Sequence, residues 1–172
     1  GRLEEAVQAY EEALNIDPDY ADAHNNLGVV LKKLGQLDEA IDSYQRAIAI
    51  NPVDADTFNN LGIVFDEKEQ LDDAIQSYQK ALELNPNYSE AYNSLGNIFM
   101  EQGQIDDAVI SYQKALEINP NYPALHNNLG NAYKQLGQPQ DALDSYSKGL
   151  TYNPDYIDLL NNIGVILNDL GR

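Results

Sequence analysis

The chain has 172 residues, 43% of them apolar, enough to bury the core of one or two ordinary domains or of one elongated array. Ten Lys and Arg stand against 28 Asp and Glu, a formal charge of −18, which excludes unassisted binding to nucleic acid or to an anionic membrane, because both require a basic face. Cysteine is absent, so disulfides, thiolate-zinc sites and cysteine nucleophiles are excluded too. No stretch approaches the roughly 18 uninterrupted apolar residues of a membrane span. The chain opens at Gly1-Arg2 without an apolar leader, and the sequence therefore predicts a soluble, cytoplasmic piece of something longer.

The first predicted element, within residues 1–20, is an amphipathic helix carrying Leu3, Ala6, Val7, Tyr10 and Ala13 on one side. From Ala21 onward, Ala23, Leu27, Gly28, Val30, Leu31 and Leu34 follow the three-four spacing of a second helix. Gly35 supplies its C-terminal stop. A third helix begins near Leu37 and places Leu37, Ala40, Ile41, Tyr44, Ala47 and Ile48 on one side. Asn51-Pro52 ends it, since a residue before proline is pushed out of the α region. The pattern then recurs. Leu27-Gly28, Leu61-Gly62, Leu95-Gly96, Leu129-Gly130 and Ile163-Gly164 are each 34 residues apart, and Tyr10, Tyr44, Tyr78, Tyr112 and Tyr146 keep the same period, as do the prolines from Pro18 to Pro154. Four complete helical hairpins follow, 21–54, 55–88, 89–122 and 123–156, flanked by a second-helix half unit, 1–20, and a first-helix half unit, 157–172. Neither helix of a hairpin can cover its apolar face alone, so the units must stack into a single array.

A 34-residue hairpin with Leu-Gly in its first helix, Ala and an aromatic in its second and Pro at the junction closely resembles the tetratricopeptide repeat (TPR), and the resemblance spans the whole chain. It implies an all-α, right-handed solenoid or superhelix of antiparallel helix pairs, with first helices lining the concave face and second helices the convex one. The family's early tryptophan place is filled by His24, Phe58, Tyr92, His126 and Leu160. Glu69 replaces the turn glycine of its unit and Gly149 the late alanine of its own. Both units are expected to be locally weaker, Gly inside a helix costing about 1 kcal/mol against Ala.

Catalytic motifs are missing: there is no Walker-type glycine loop, no G-x-S-x-G and no HExxH. His24 and His126 occupy one repeat place three units apart, too far to share a metal, and are expected to pack between helices. The acidic residues Glu4-Glu5, Asp38-Glu39, Asp72-Asp73, Asp106-Asp107 and Asp141 all fall in the first turn of a second helix, where negative charge complements the macrodipole by about 0.3–1 kcal/mol. Neither a cofactor nor a metal nor an enzymatic activity is expected.

The informative residues lie on the solvent stripe of the first helix, at unit places 2, 6, 9 and 13 counted from Ala21. Place 6 carries Asn26, Asn60, Ser94, Asn128 and Asn162; place 2 carries Asp22, Asp56, Glu90, Ala124 and Asp158; Asn97 and Asn131 stand at place 9. Asparagine also fills place 5, as Asn25, Asn59, Asn93, Asn127 and Asn161. Asn is a poorer helix former than Lys, Glu or Gln, yet it is repeated. Its amide offers a donor and an acceptor together, the pair that a peptide N–H and C=O require. Place 5 is expected to tie neighbouring helices together, and place 6 to meet a ligand.

The TPR superhelices of O-linked N-acetylglucosamine transferases are similar in this respect. The resemblance implies that Asn26, Asn60, Asn128 and Asn162 hold substrate main chain and that Asp22, Asp56 and Asp158 choose side chains; Glu90, Ser94 and Ala124 depart from the pattern. The Lys/Arg/Asn carboxylate clamp of chaperone-binding TPR proteins is absent, its places carrying Asn25, Val29 and Asp22. The sequence thus predicts a protein-interaction module that binds an extended, neutral-to-basic peptide through Asp22, Asn26, Asp56, Asn60, Glu90, Ser94, Asn97, Asn128, Asn131, Asp158 and Asn162. Two rival readings stay open, the substrate-selecting region of a larger glycosyltransferase and a scaffold assembled end to end. For the latter, weak head-to-tail self-association is expected between the apolar face of Leu159, Leu160, Ile163, Ile166, Leu167 and Leu170 and the helix bearing Leu3, Ala6, Val7, Tyr10 and Ala13.

Overall fold

The computed structural model describes residues 1–171; Arg172, the last residue of the expected half unit 157–172, lies outside them. Among the described residues there are ten α-helices and no strands: α1 (Arg2–Ile16), α2 (Ala21–Lys33), α3 (Leu37–Ile50), α4 (Ala55–Glu67), α5 (Leu71–Leu84), α6 (Ser89–Glu101), α7 (Ile105–Ile118), α8 (Pro123–Gln135), α9 (Pro139–Tyr152) and α10 (Ile157–Asp169). They gather into two compact units, Gly1–Pro86 with α1 to α5 and Asn87–Arg172 with α6 to α10. Within each unit helix packs on helix as in a TPR solenoid, the even-numbered helices being the first helices of the hairpins and the odd-numbered ones the second.

The turn inside each hairpin is a Schellman motif. Gln36 N–H donates to the Leu31 carbonyl at 3.0 Å and Gly35 N–H to the Lys32 carbonyl at 2.9 Å, satisfying carbonyls that the helix end leaves open. The closing residue must be left-handed: Gly35, Gly103 and Gly137 have φ of 77°, 73° and 70°. In the second hairpin that place is Glu69, at φ 59°, with the same bonds from Glu69 to Asp66 and from Gln70 to Phe65. A Cβ in this region costs about 1 kcal/mol or more. Glu69→Gly should therefore raise stability by about 1 kcal/mol, moving the thermal midpoint up by about 2–4 °C for a chain of this size. A midpoint that fell would contradict the turn as the source of strain.

At the second helix's far end, Asn51, ahead of Pro52, is extended at φ −123° and returns its N–H to the Ala47 carbonyl at 2.8 Å. The expected acidic residues do sit in the first turns of α1, α3, α5, α7 and α9.

Each core is built on one contact. The tyrosines Tyr44, Tyr78, Tyr112 and Tyr146 are buried to 2% exposure or less. Each lies flat against the glycine of its partner helix, so that a Cβ added at Gly28, Gly62, Gly96 or Gly130 would come within 2.2–2.8 Å of the ring. In the first unit Tyr44 is joined by Leu27, Leu31, Ala40, Leu61 and Val64. In the second, Tyr112 packs with Ala108, Ala115, Leu125 and Leu129, and Tyr146 with Ala142, Leu143, Leu159 and Ile166. Gly149 has a packing reason as well. Its missing Cβ would meet Leu159 Cδ1 at 2.6 Å and His126 Cβ at 3.0 Å, so a larger neighbour occupies the volume that Ala47, Ala81 and Ala115 fill in the other hairpins.

Candidate peptide-binding face

On the first helices, the place-5 and place-6 asparagines of neighbouring hairpins interlock. In the first unit, Asn60 Nδ2 on α4 donates to Asn25 Oδ1 on α2 at 3.1 Å. In the second, Asn128 Nδ2 on α8 donates to Asn93 Oδ1 on α6 at 3.1 Å and to Asn97 Oδ1 at 3.4 Å. Asn162 Nδ2 on α10 repeats this with Asn127 Oδ1 at 2.9 Å and Asn131 Oδ1 at 3.4 Å. Place 5 thus supplies acceptors between helices. At Asn60, Asn128 and Asn162 place 6 does two things: the Nδ2–H groups tie the helices together, while Oδ1 meets no protein donor among the described residues. Asn26 is exposed and Ser94 half-buried.

The acidic residues expected beside these amides are exposed, namely Asp22, Asp56, Glu90 and Asp158. None is held in an ion pair among the described residues. Asp56 takes part only through its backbone N–H, which donates to the Asp54 carboxylate at 3.1 Å and helps start α4. Within each unit the structure therefore brings together amides with free acceptors and unpaired carboxylates, a surface that can hold main-chain polar groups and attract cationic side chains. Ala124 interrupts the acidic row on α8.

Sequence reasoning missed one participant. Tyr112 and Tyr146 each send their hydroxyl to the place-9 amide of the same hairpin, Asn97 Oδ1 and Asn131 Oδ1, both at 2.8 Å. The signal was present as a spacing of 15 residues between an asparagine and the core tyrosine, but only where the two helices pack antiparallel does that spacing become contact. Burial pushes both phenols above their ordinary pKa, so they remain protonated donors. In the hairpin 21–54 place 9 is Val29, and the Tyr44 hydroxyl is buried with no partner.

The histidines are packing residues. His24 and His126 are buried, and each donates Nε2–H to a proline carbonyl, Pro18 or Pro120, at 2.9 Å. His126 also stacks on Tyr152, ring centroids 5.8 Å apart. Both lie at the base of clefts between second helices, of about 860 Å³ between α1 and α3 and about 570 Å³ between α7 and α9. No group of three His, Asp or Glu side chains among the described residues is placed to hold a metal, and no helix is long and apolar enough to cross a membrane.

Burial lowers the His126 pKa, opposed by the Pro120 hydrogen bond and assisted by the Lys148 charge. Its Nδ1 has no partner, so protonation would bury a charged ring with one N–H unpaired. On acidification the unfolded chain takes up this proton first, near the ordinary value of 6.5. Stability from His126 is accordingly present above pH 6.5 and lost as pH falls below it toward the depressed folded value. His126→Phe, the residue type at the equivalent Phe58, should flatten the wild-type loss of thermal midpoint between pH 7.5 and 5.5; identical slopes in the two proteins would refute it.

The geometry agrees with known proteins. Family models described as TPR repeat and tetratricopeptide repeat match residues 1–35, 65–103 and 96–137, residues 21–54 and 123–156, and residues 43–76. The chain belongs to the tetratricopeptide repeat family. Among solved TPR-like structures, MamA superposes with a TM-score of 0.84 at 26% identity, covering 88% of this chain and 89% of that one. YrrB, described as a TPR protein with an unusual peptide-binding site, gives a TM-score of 0.79 at 29% identity over 93% of this chain and 82% of its own. PilF of Pseudomonas aeruginosa shares the fold at 23% identity and a TM-score of 0.74, covering 98% of this chain and 71% of that one. No curated protein matches significantly in sequence. As a TPR protein the chain is a protein-interaction module whose repeated first-helix face carries the interlocked amides.

Proposed function

We propose that the first-helix face of each unit binds an extended peptide of neutral-to-basic character, held along its main chain by the place-6 asparagines and selected by the place-2 carboxylates. The interlocked amides carry this reading. Their N–H groups are fixed between helices, so the outward Oδ1 atoms of Asn60, Asn128 and Asn162 are oriented before a ligand arrives, which lowers the ordering cost of binding. The similarity to YrrB, itself described as having a peptide-binding site, supports the same class of ligand. Packed helices lie about 8–10 Å apart and an extended chain advances about 3.3 Å per residue, so each first helix meets about three peptide residues. Asp22, Asp56, Glu90 and Asp158 then lie beside side chains of the peptide, where Lys or Arg is favoured. The experiment is fluorescence anisotropy on a panel of 14-residue peptides of varied sequence and charge. Replacing Asn26, Asn60, Asn128 and Asn162 with Ala should weaken every binder, whereas replacing Asp22, Asp56 and Asp158 with Asn should weaken only the basic ones. Affinities unmoved by either set would remove the face from consideration.

A second reading is favoured by Gly164. The four preceding glycines of this series each press on a tyrosine, but a Cβ at Gly164 would meet nothing within 4 Å, and Leu160 and Val165 of the same helix are exposed. The helix that fits carries a tyrosine in the pattern of α1, with Ala6, Val7, Tyr10 and Ala13. In solution the 172-residue chain is therefore expected to self-associate weakly, α1 of one copy on α10 of another, opposed by the charge of −18 and helped by salt. Sedimentation at rising salt should show oligomers that Tyr10→Ala and Leu160→Lys each abolish; a monomer under all conditions would end this reading.

A further inference from the structure

We propose that the buried hydroxyls of Tyr112 and Tyr146 are positioning groups for ligand binding, fixing the orientation of the amide triads Asn93/Asn97/Asn128 and Asn127/Asn131/Asn162 so that each triad presents one acceptor and two NH2 groups outward. The inference rests on the peptide-binding reading of this face and names what controls it.

In each triad the donated phenol O–H selects one arrangement. Asn97 Oδ1 receives two donors, the Tyr112 hydroxyl at 2.8 Å and Asn128 Nδ2 at 3.4 Å. Asn131 Oδ1 likewise receives the Tyr146 hydroxyl at 2.8 Å and Asn162 Nδ2 at 3.4 Å. Rotating the Asn97 or Asn131 amide by half a turn would set its NH2 against the place-6 NH2, donor to donor, and even if all three amides of a triad turned together the buried Tyr112 or Tyr146 O–H would lose its acceptor. With the rotation blocked, the place-9 and place-5 NH2 groups and the place-6 Oδ1 are what a ligand finds, the complement of one peptide C=O and one peptide N–H. The α2–α4 pair of the first unit shows the face without the device. Val29 stands where Asn97 and Asn131 stand, the Tyr44 hydroxyl is buried and unpartnered, and Asn60 is held by Asn25 alone. The two units therefore differ in how firmly the same amides are held, and the second unit is the stronger binder.

The test uses the whole chain, Tyr112→Phe and Tyr146→Phe singly and together, and the peptide (Lys-Thr)7 as probe. Phenylalanine keeps the ring against Gly96 or Gly130, so folding is preserved. The side-chain NH2 resonances of Asn97 and Asn131 in an 15N correlation spectrum report orientation directly. We expect these pairs to move and broaden in the variants, and probe affinity to fall about 10-fold in the double variant. Val29→Asn, which gives Tyr44 a partner and the first unit a third amide, should tighten the probe by a comparable factor. Unchanged NH2 resonances together with unchanged affinity overturn the proposal. If the wild type binds no peptide of the panel while the resonances still move, the peptide reading falls and the positioning role stands.

Discussion

Tyr146→Ala should cost about 3–5 kcal/mol, the expected range for deleting a fully buried aromatic ring, and Gly130→Ala about 1–3 kcal/mol through overpacking. The two changes attack one contact from opposite sides. Tyr146 is 0% exposed, and an alanine Cβ at Gly130 would stand 2.2 Å from its Cε1 and 2.5 Å from its Cδ1. The ring has no open space into which to swing, so α8 and α9 must separate. Gly164→Ala is the matched control. It makes the same substitution at the same repeat place, where nothing lies within 4 Å, and should stabilise α10 by up to about 1 kcal/mol through helix propensity. Urea unfolding of the three variants measures all of this. Equal losses at Gly130 and Gly164 would show that the glycine matters for backbone freedom and not for tyrosine packing.

Asn128→Ala and Asn162→Ala should lower stability and peptide affinity together, which separates this face from an ordinary solvated one. Each substitution deletes two donated hydrogen bonds and leaves two amide oxygens without that donor. At about 0.5–1.5 kcal/mol per bond each variant should lose about 1–3 kcal/mol in unfolding free energy. Binding should weaken a further 3- to 10-fold, roughly, for each main-chain bond lost. Asp158→Asn behaves differently, since an exposed carboxylate contributes at most about 1 kcal/mol. It should leave unfolding unchanged and weaken only the Lys-bearing peptides, whose binding also becomes less dependent on salt. Asn128→Ala and Asn162→Ala proteins as stable as the wild type would mean that the amide ladder does not join the helices in solution.

The period of 34 residues, the helix-ending glycines and prolines and the apolar spacing were enough to derive the hairpins and their stacking, because these features act locally. A left-handed residue ends a helix wherever it occurs, and an apolar stripe at three-four spacing must be covered. Glu69 was legible as a departure from the turn glycine for the same reason, its place being defined by Gly35, Gly103 and Gly137. The asparagine rows were legible as a repeated chemical choice, though their division of labour was not. Which amide hydrogen goes to which oxygen depends on the distance between α6 and α8, or α8 and α10, and no spacing within one helix encodes it. Likewise, Gly149 was legible as a helix glycine, but the space that its missing Cβ leaves to Leu159 and His126 is a volume set by three helices at once. Tyr112 and Tyr146 carried the same ambiguity: their rings were legible as core, but their hydroxyls found Asn97 and Asn131 only through the antiparallel packing of two helices. Sequence determined the helix ends and the apolar stripes along the chain; contacts made across it, where donors, acceptors and volumes must match between helices, were decided by the tertiary structure.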